Sequence, residues 1–251
     1  LVRDIDKTFL NMKIYLPTKH SKVCFEYIDS FIDVLNHERI DTLDSYLNST
    51  GLLECEITSQ EQAALDSFSK VSWKEFDLIK LFTVKNTHNI LSRDIVPGSG
   101  NIPYLTAGQS NNSVGTYISY DIEQVEKGNS IFIGGKTFVV TYQKDDYFSN
   151  DSHNLALYYK DIEHRTKANQ LFMATCVDKS LCSLYSWGNS ISSKKIQKDT
   201  ILLPAKDNVP DHDYMSLISS AMQKLVIKKV INYLKEKRKN HDVERLESIV
   251  V

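Results

Sequence analysis

The sequence predicts an α+β protein: a mixed α/β domain of strands and short helices, flanked by two long helices. Apolar residues recur at three- and four-residue steps over residues 23–48 and again over 211–240, which is typical of amphipathic helices. Between these segments, eight of the nine glycines lie within residues 98–188, where strand-like runs alternate with polar turns. The two helical segments carry opposite net charge. We therefore expect them to pack on each other as a coiled-coil pair.

An internal repeat covers the approach to each long helix and most of its length. Residues 14–47 and 201–234 align without a gap at an offset of 187, and eight of the thirty-four positions are identical. The identical pairs are Ile14/Ile201, Leu16/Leu203, Pro17/Pro204, Lys19/Lys206, Tyr27/Tyr214, Ile40/Ile227, Tyr46/Tyr233 and Leu47/Leu234. Because a repeat sets the architecture, this one predicts two copies of a strand–loop–helix unit. The alternative is a pair of unrelated endings that look alike.

Composition is that of an ordinary globular chain. The 251 residues are 41% apolar and 25% charged, and the net charge of −2 does not indicate a polyanion partner. The four cysteines form no CxxC pair, which favours free thiols in a reducing cytoplasm and predicts no metal site. No run approaches the roughly 18 apolar residues of a membrane span. The first residues show neither Met nor a signal-peptide pattern, and we expect a truncated chain or one segment of a longer one.

The remaining elements follow from local patterns. Helices are expected over 23–48, ended by Gly51, over 58–69, over 166–177 with a further stretch at 178–185, and over 211–240. Thr58-Ser59-Gln60-Glu61 resembles a capping box at the start of the second of these. Strands are expected over 12–16, 77–84, 102–107, 114–119, 130–133, 138–142 and 155–159.

The long helices each carry an apolar seam and a one-sided charge. Residues 23–48 have a net charge of −5, and the second helix has a net charge of +4. A basic run also suggests nucleic-acid binding, but pairing with the acidic helix explains it better. The candidate pairing residues are Ile28, Ile32, Leu35, Leu43 and Leu47 on the first helix, and Ile218, Leu225, Ile231 and Leu234 on the second.

No motif of a stand-alone enzyme is present, so catalysis by this chain is the weaker hypothesis. The sequence lacks GxGxxG, GxSxG, HExxH and Asn-Pro-Pro-Tyr. Gly134-Gly135-Lys136-Thr137 echoes the end of a P-loop, but Ser130 stands where the first glycine is needed. Asp145 and Asp146 with Lys144 faintly suggest a nuclease without the required partner spacing, and surface solvation explains His153 beside Asp151 equally well.

Polar side chains cluster after the predicted strands of the central domain. Asn and Gln amides suit an adenine edge, and Lys or Arg suits guanine or phosphate. The alternative is that polar residues merely fill solvated loops.

An ordered set of short motifs spans residues 73–240. They are Trp73-Lys74-Glu75-Phe76-Asp77-Leu78 with Phe82, Asn101-Ile102-Pro103-Tyr104-Leu105-Thr106-Ala107, Asn111-Asn112-Ser113-Val114-Gly115, Tyr185-Ser186-Trp187-Gly188, and Ile201-Leu202-Leu203-Pro204 before the long helix. In this order they resemble the DNA-specificity (S) subunits of type I restriction–modification systems and the related type IIB, BcgI-like enzymes.

The resemblance implies a domain arrangement. Residues 1–22 would be the tail of a preceding recognition domain, 23–70 a first conserved helical region, 71–210 a target recognition domain, and 211–251 a second conserved long helix. The two long helices would pack as an antiparallel coiled coil. The chain then looks like the C-terminal half of an S subunit or a half-length S polypeptide.

The resemblance also implies a non-catalytic, cytoplasmic role. The chain would direct a partner adenine methyltransferase (M) subunit, and a restriction (R) subunit in some systems, to a specific and bipartite site on double-stranded DNA. S-adenosylmethionine, ATP and Mg would be bound by the partner subunits, and two copies of the chain could pair through the helices. The alternatives are a helix-mediated interaction module without a DNA role, or a truncated fragment that is inactive alone.

The resemblance turns the polar loop residues into candidate DNA contacts. They are Lys85, Asn86, Arg93, Thr106, Gln109, Ser110, Asn111, Asn112, Lys136, Thr137, Tyr142, Gln143, Ser149, Asn150, Trp187, Asn189, Lys194 and Lys195.

Overall fold

The structure is a computed structural model that describes the backbone of residues 5–249 and the side chains of residues 7 and 9–237. It separates into two compact units. The second unit is Glu56–Leu225, and the first combines the described residues up to Cys55 with those from Val226 onward. No helix within residues 5–249 is both long and apolar enough to cross a membrane.

The first unit begins with a short helix and a hairpin and continues into a long helix. These elements are α1 (Ile5–Leu10), β1 (Thr18–Lys19), β2 (Lys22–Val23) and α2 (Phe25–Ser49). The predicted end of α2 is confirmed, because Thr50 caps it and Gly51 follows with a φ of +68°. The strand predicted over 12–16 is wrong. These residues have no partner strand among the described residues, and Tyr15 is fully exposed.

The second unit alternates short strands with a few helices. Its elements are α3 (Ser59–Asp66), β3 (Trp73–Asp77), α4 (Leu78–Leu81), β4 (Phe82–Asn86), β5 (Ile102–Leu105), β6 (Val114–Ile118), β7 (Ser130–Ile133), β8 (Val140–Gln143), β9 (Phe148–Ser149), β10 (Leu155–Tyr159), α5 (Lys167–Leu181), β11 (Thr200–Lys206) and β12 (Val209–Pro210). The last helix, α6 (His212–Ile249), starts in this unit.

Three sheets build the second unit. The largest has the strand order β4-β10-β7-β8 and is antiparallel throughout. A second sheet runs β12-β11-β3, so that β3 opens the domain and β11 closes it. The third runs β6-β5-β9, in which β5 and β9 are parallel. The main core combines the large sheet with α5 and β11, through Ile131, Leu157, Met173, Val177 and Ile201. The predicted mixed α/β class is therefore confirmed.

Most predicted elements of this unit are confirmed, with two corrections. The strand predicted over 77–84 is broken by α4, because Leu78 is fully buried and its N–H donates to the Asp199 carbonyl at 3.0 Å. The strand predicted over 138–142 begins only at Val140. Phe138 has a φ of +53° and its N–H donates to the Gly134 carbonyl at 2.8 Å, so it belongs to a turn.

The internal repeat is confirmed in the backbone. The hairpin β1–β2 pairs Thr18 with Val23, and the hairpin β11–β12 pairs Ala205 with Pro210. Both have two-residue turns in the left-handed region, at His20-Ser21 and Asp207-Asn208. In each copy an N–H also donates to the repeat proline carbonyl at 2.9 Å, from Cys24 to Pro17 and from Asp211 to Pro204. Helices α2 and α6 start one residue after those donors, so the two segments share one hairpin–helix backbone arrangement.

The candidate pairing residues differ in burial. Within the first unit, Leu47 and Leu234 are each only 3% exposed, Ile28, Leu43 and Ile231 are half-buried, and Ile32 and Leu35 are exposed. Ile218 is buried and Leu225 half-buried, and both lie in the second unit. The coiled-coil pairing therefore stays a prediction, best supported around Leu47 and Leu234.

Candidate nucleic-acid interface

The turn between β7 and β8, residues 134–137, is the meeting point of three other loops, and we name it the central turn. The Gly135 N–H donates to Asn154 Oδ1 at 3.0 Å, and the Ile191 N–H donates to the Gly135 carbonyl at 3.2 Å. The Thr137 hydroxyl donates to the Ala107 carbonyl at 2.8 Å. The β5–β6 loop (106–113), the loop before β10 (150–154) and the tryptophan loop (186–195) thus converge on one place.

Glycine is required at the centre of this arrangement. A Cβ on Gly135 would lie 2.1 Å from the His153 carbonyl oxygen, so any side chain would push the loop before β10 away. The Gly-Gly pair that echoed a P-loop in the sequence therefore serves close backbone packing.

Lys136 extends from the central turn and forms an ion pair with Asp151. Lys136 Nζ lies 2.7 Å from Asp151 Oδ2, while the N–H and Nδ1 of His153 lie 2.9 and 2.7 Å from Oδ1. Burial opposes ionisation of Asp151, but these hydrogen bonds outweigh it and lower its pKa to about 2. The carboxylate thus holds a half-exposed lysine and an exposed histidine at the surface.

The β5–β6 loop is attached to β8 by amide groups. Asn111, Asn112 and Ser113 all have positive φ, between 49° and 67°, a conformation that Asn tolerates better than most residues. Asn112 Nδ2 donates to the Tyr142 carbonyl, and Gln143 Nε2 donates to the Asn112 carbonyl, both at 3.0 Å. Asn111 Nδ2 donates to the Val114 carbonyl at 3.0 Å. These bonds hold an irregular loop in one conformation.

A groove of about 460 Å³ lies along this loop, and polar and apolar surface share its walls about equally. Its lining residues are Asn101, Ile102, Pro103, Asn111, Asn112, Val114, Tyr117, Gln143, Lys144, Asp145 and Asp146. Amide groups of this kind can read hydrogen-bonding edges.

The tryptophan loop presents an exposed aromatic side chain beside lysines. Ser186 and Asn189 form a bridge that places Trp187 and Gly188 at the tip, and Trp187 is 76% exposed. Lys195 Nζ donates to Asn189 Oδ1 and to the Ser190 carbonyl, both at 2.7 Å, so it fastens the loop. Lys194 is exposed next to it.

Three of the candidate contacts need correction, because the structure buries them. Ser149 is fully buried, and its hydroxyl donates to Thr87 Oγ1 at 2.8 Å and accepts from Asn154 Nδ2 at 3.1 Å. Gln143 is 4% exposed, and its amide donates to the Asn112 carbonyl and to Thr141 Oγ1. The Tyr142 ring is also buried and its hydroxyl donates to Asn129 Oδ1 at 3.1 Å. These side chains support the loops and do not face solvent.

The other candidates, apart from Arg93, lie in the converging loops or in segments next to them. Asn86 Nδ2 donates to the Ser152 carbonyl at 2.7 Å, and the Asn150 N–H donates to the Leu105 carbonyl at 3.1 Å. Lys85 lies over the Tyr158 ring. Thr106 is half-buried in the β5–β6 loop, where Gln109 and Ser110 are exposed. Arg93 lies on a separate 3-10 turn beside Asp94, with no contact to the central turn among the described residues.

Asn154 and Thr87 hold these loops together, although neither was among the candidate residues. Asn154 is 1% exposed and bonds Gly135, Ser149 and Asn150 at once. The Thr87 hydroxyl donates to the Asp151 carbonyl at 2.8 Å. The sequence could have indicated Asn154, because it ends an Asp-Ser-His-Asn run just before a strand and Asn is common in turns.

The sequence of this chain matches a known family. Residues 70–243 match the family described as type I restriction modification DNA specificity domain. The match covers more than half of the chain, so the chain belongs to that family, and the resemblance noted in the sequence is confirmed.

A curated relative is the "Type II restriction enzyme BgcI specificity subunit S.BcgI" of Heyndrickxia coagulans. It is 25% identical over 222 residues, which are 86% of this chain and 60% of the relative. The chain therefore spans less than two thirds of that protein.

Two solved structures are also similar. One is the S subunit of a type I restriction–modification system from M. genitalium, with 15% identity, a TM-score of 0.46, and coverage of 87% of this chain and 57% of that one. The other is the HsdS subunit from Thermoanaerobacter tengcongensis, with 15% identity, a TM-score of 0.46, and coverage of 88% and 54%.

Proposed function

We propose that this chain reads one DNA sequence element for a restriction–modification system and has no catalytic role of its own. The observation that carries the proposal is the convergence of three loops on the central turn, within a domain of the DNA-specificity family. Convergent loops on a rigid sheet are a common way to present side chains to a binding partner. The family match covers the mixed domain, so a purely helical interaction module is not supported.

The exposed side chains of these loops divide into three roles. Gln109, Ser110 and Asn111 offer hydrogen-bonding groups to base edges in the major groove. Lys136 and Lys194 suit phosphate, although Lys136 must share its charge with Asp151. Trp187 offers an apolar ring to the sugar–base surface. The groove of about 460 Å³ beside Asn111 and Asn112 would receive part of the DNA.

DNA affinity of the chain alone is expected to be low. Residues 71–205 contain fourteen Lys and Arg against thirteen Asp and Glu, and phosphate contacts supply most of the salt-dependent affinity of DNA-binding proteins. A partner methyltransferase subunit would therefore supply part of the DNA contact. It would also bind S-adenosylmethionine and flip out the target adenine, while ATP and Mg would be used by a restriction subunit.

The repeat supports the proposed domain arrangement. Ile201 on β11 pairs with β3 and closes the recognition domain. Its repeat counterpart is Ile14, and the apolar side chains around Ile14 in residues 12–16 are exposed. We infer that residues 1–22 close a preceding recognition domain, that 23–70 and 211–251 hold the conserved helices, and that 71–210 is the target recognition domain. The paired helices would fix the distance between two half-sites, as an antiparallel coiled coil.

The test is a methylation map. We would co-express the chain with the methyltransferase subunit of its own system and sequence host DNA for N6-methyladenine. We expect one short motif that is marked only when the chain is present, and a Gln109→Ala, Asn111→Ala variant that marks a degenerate motif. A matched control, Ile122→Ala, changes a 65% exposed residue outside the converging loops and should leave the motif unchanged.

Two outcomes would contradict the proposal. Methylation at the same sites without the chain would remove its recognition role. A motif unchanged by the double variant would show that the β5–β6 loop does not read DNA. A symmetric bipartite motif would add that two copies pair through their helices.

A further inference from the structure

Three side chains suited to a metal ion meet where the connection after β10 approaches the first turn of α6. Asp161, His164 and His212 each offer one ligand atom, and these atoms all lie within 4.8 Å of one another. Across the described side chains, no other set of three or more His, Cys, Asp and Glu residues comes this close together. None of the three belongs to the loops that meet at the central turn. All lie within the second unit.

The two histidines are already held in place. His164 Nδ1 lies 2.8 Å from Asp161 Oδ2, and His212 Nε2 lies 2.6 Å from the Tyr159 hydroxyl. The two imidazole rings stack with their centroids 4.0 Å apart and their planes 12° from parallel. His212 is the first residue of α6, whereas Asp161 and His164 precede α5, so the cluster joins two segments that are distant in the sequence.

The local charge also suits a cation. The positive end of α6, equivalent to about half a charge, opposes cation binding. Arg165 adds a positive charge, and its Nε donates to the Tyr159 carbonyl at 2.8 Å. Asp161, Asp211 and Asp213 place three carboxylates near His212, which favour a cation there.

We propose that Asp161, His164 and His212 bind one divalent transition-metal ion, for which Zn²⁺ is the best match. Two imidazole nitrogens and one carboxylate oxygen are a common protein ligand set for zinc, with a water or the Tyr159 hydroxyl in the fourth position. Neighbouring ligands of a tetrahedral zinc lie about 3.3 Å apart. Zinc binding would therefore require the three ligand atoms, which lie within 4.8 Å of one another, to approach more closely and the stacked rings to turn.

The role of the ion is structural. It ties the start of α6 to the connection between β10 and α5 within the second unit. This inference does not depend on DNA recognition, because zinc binding can be measured without DNA.

The test is a calorimetric titration of ZnCl₂ into the tag-free, chelator-treated chain. We expect one site per chain with a dissociation constant in the micromolar range or below, and a rise in the thermal unfolding midpoint on zinc addition. His164→Ala and Asp161→Asn should each weaken binding by at least tenfold and abolish that rise. Circular dichroism of each metal-free variant verifies that it is folded, and His212→Gln gives a third variant that keeps a hydrogen-bonding side chain beside Tyr159.

The matched control is His153→Ala. His153 also contacts a carboxylate, with Nδ1 2.7 Å from Asp151 Oδ1, but no third ligand completes a site there. Zinc binding should be unchanged in this variant. The proposal is overturned if the wild-type chain binds no stoichiometric zinc, if folded His164 and Asp161 variants bind it as tightly as wild type, or if His153→Ala loses it.

Discussion

Glu61 Oε2 lies 2.8 Å from Lys224 Nζ, and this ion pair joins α3 to α6 inside the second unit. The same carboxylate accepts a hydrogen bond from the Thr58 N–H at 2.8 Å, which completes the capping box of α3. Glu61 is only 4% exposed. One side chain thus both caps a short helix and fastens it to the long one.

We expect Glu61→Gln to lower the free energy of unfolding by about 2–4 kcal/mol, because it leaves a largely buried lysine without its counter-charge. Chemical denaturation with a fitted slope would measure the change. Glu75→Gln is the control, since Glu75 is an exposed acid on β3, and it should cost less than about 0.5 kcal/mol. Equal effects of the two substitutions would show that the ion pair does not stabilise the fold.

The same carboxylate predicts a pH dependence of stability. Burial opposes ionisation of Glu61, but hydrogen bonds from Lys224, Ser220 and Thr58 outweigh it and lower the pKa from 4.5 to about 2. Because the folded pKa is the lower one, the stabilisation is complete above pH 4.5 and is lost as pH falls toward 2. Denaturation between pH 5 and 2.5 should therefore give a shallower pH slope for Glu61→Gln than for wild type. Parallel slopes would contradict the assigned pKa.

The sequence predicted the arrangement of the two long helices and the segments before them, because the same local pattern occurs twice in the chain. The repeat at Pro17 and Pro204 predicted two copies of a strand–loop–helix unit, and the structure shows a hairpin followed by a helix in both copies. The capping box at Thr58 was equally local. The strand predicted over residues 12–16 was wrong for a different reason. A strand needs a partner strand, and the residue pattern of the segment itself does not show whether one is present.

The recognition loops were only partly predictable, for a related reason. Polar residues after strands identified the right segments, but burial decides which of their side chains face outward. Ser149 and Gln143 carry the same chemistry as Ser110 and Gln109, yet they are enclosed by contacts from Thr87, Asn154 and Asn112. Those contacts join residues far apart in the chain, and no local pattern reports them.

This difference between Gln143 and Gln109 leads to a paired prediction. Gln143→Ala leaves the Asn112 carbonyl without its partner and should lower the free energy of unfolding by about 1–3 kcal/mol. Gln109→Ala removes an exposed side chain and should leave stability unchanged, while it weakens specific DNA binding by the assembled complex by about 1–3 kcal/mol. Denaturation and fluorescence anisotropy separate the two effects. Equal loss of stability in both variants would contradict the assignment.

Lys194 should contribute to the salt dependence of DNA binding. It is exposed beside the fastened tryptophan loop, and each phosphate contact adds about 0.9 to the slope of log K against log salt. Lys194→Gln should therefore reduce the magnitude of that slope by about one, in the complex with the methyltransferase. Lys70→Gln, which removes an equally exposed lysine outside the converging loops, is the control. A slope that falls equally in both variants would point to a general charge effect.

The apolar face of α2 predicts self-association of the isolated chain. Ile32 and Leu35 are 50% and 39% exposed, and a groove of about 550 Å³ runs along the helix past Leu35 and Leu43. Leu35→Asp should convert a dimer to a monomer in sedimentation equilibrium, because a second copy would otherwise cover that face and bury the charge. Val34→Asp is the control and should leave the dimer intact. Val34 is 63% exposed and lies two residues after Ile32, which places it on the opposite side of the helix. Both variants should keep the helical circular dichroism of wild type, since neither side chain is buried within the chain. A wild-type chain that is monomeric at all concentrations would contradict the prediction. A dimer that survives Leu35→Asp would show that this face of α2 does not form it.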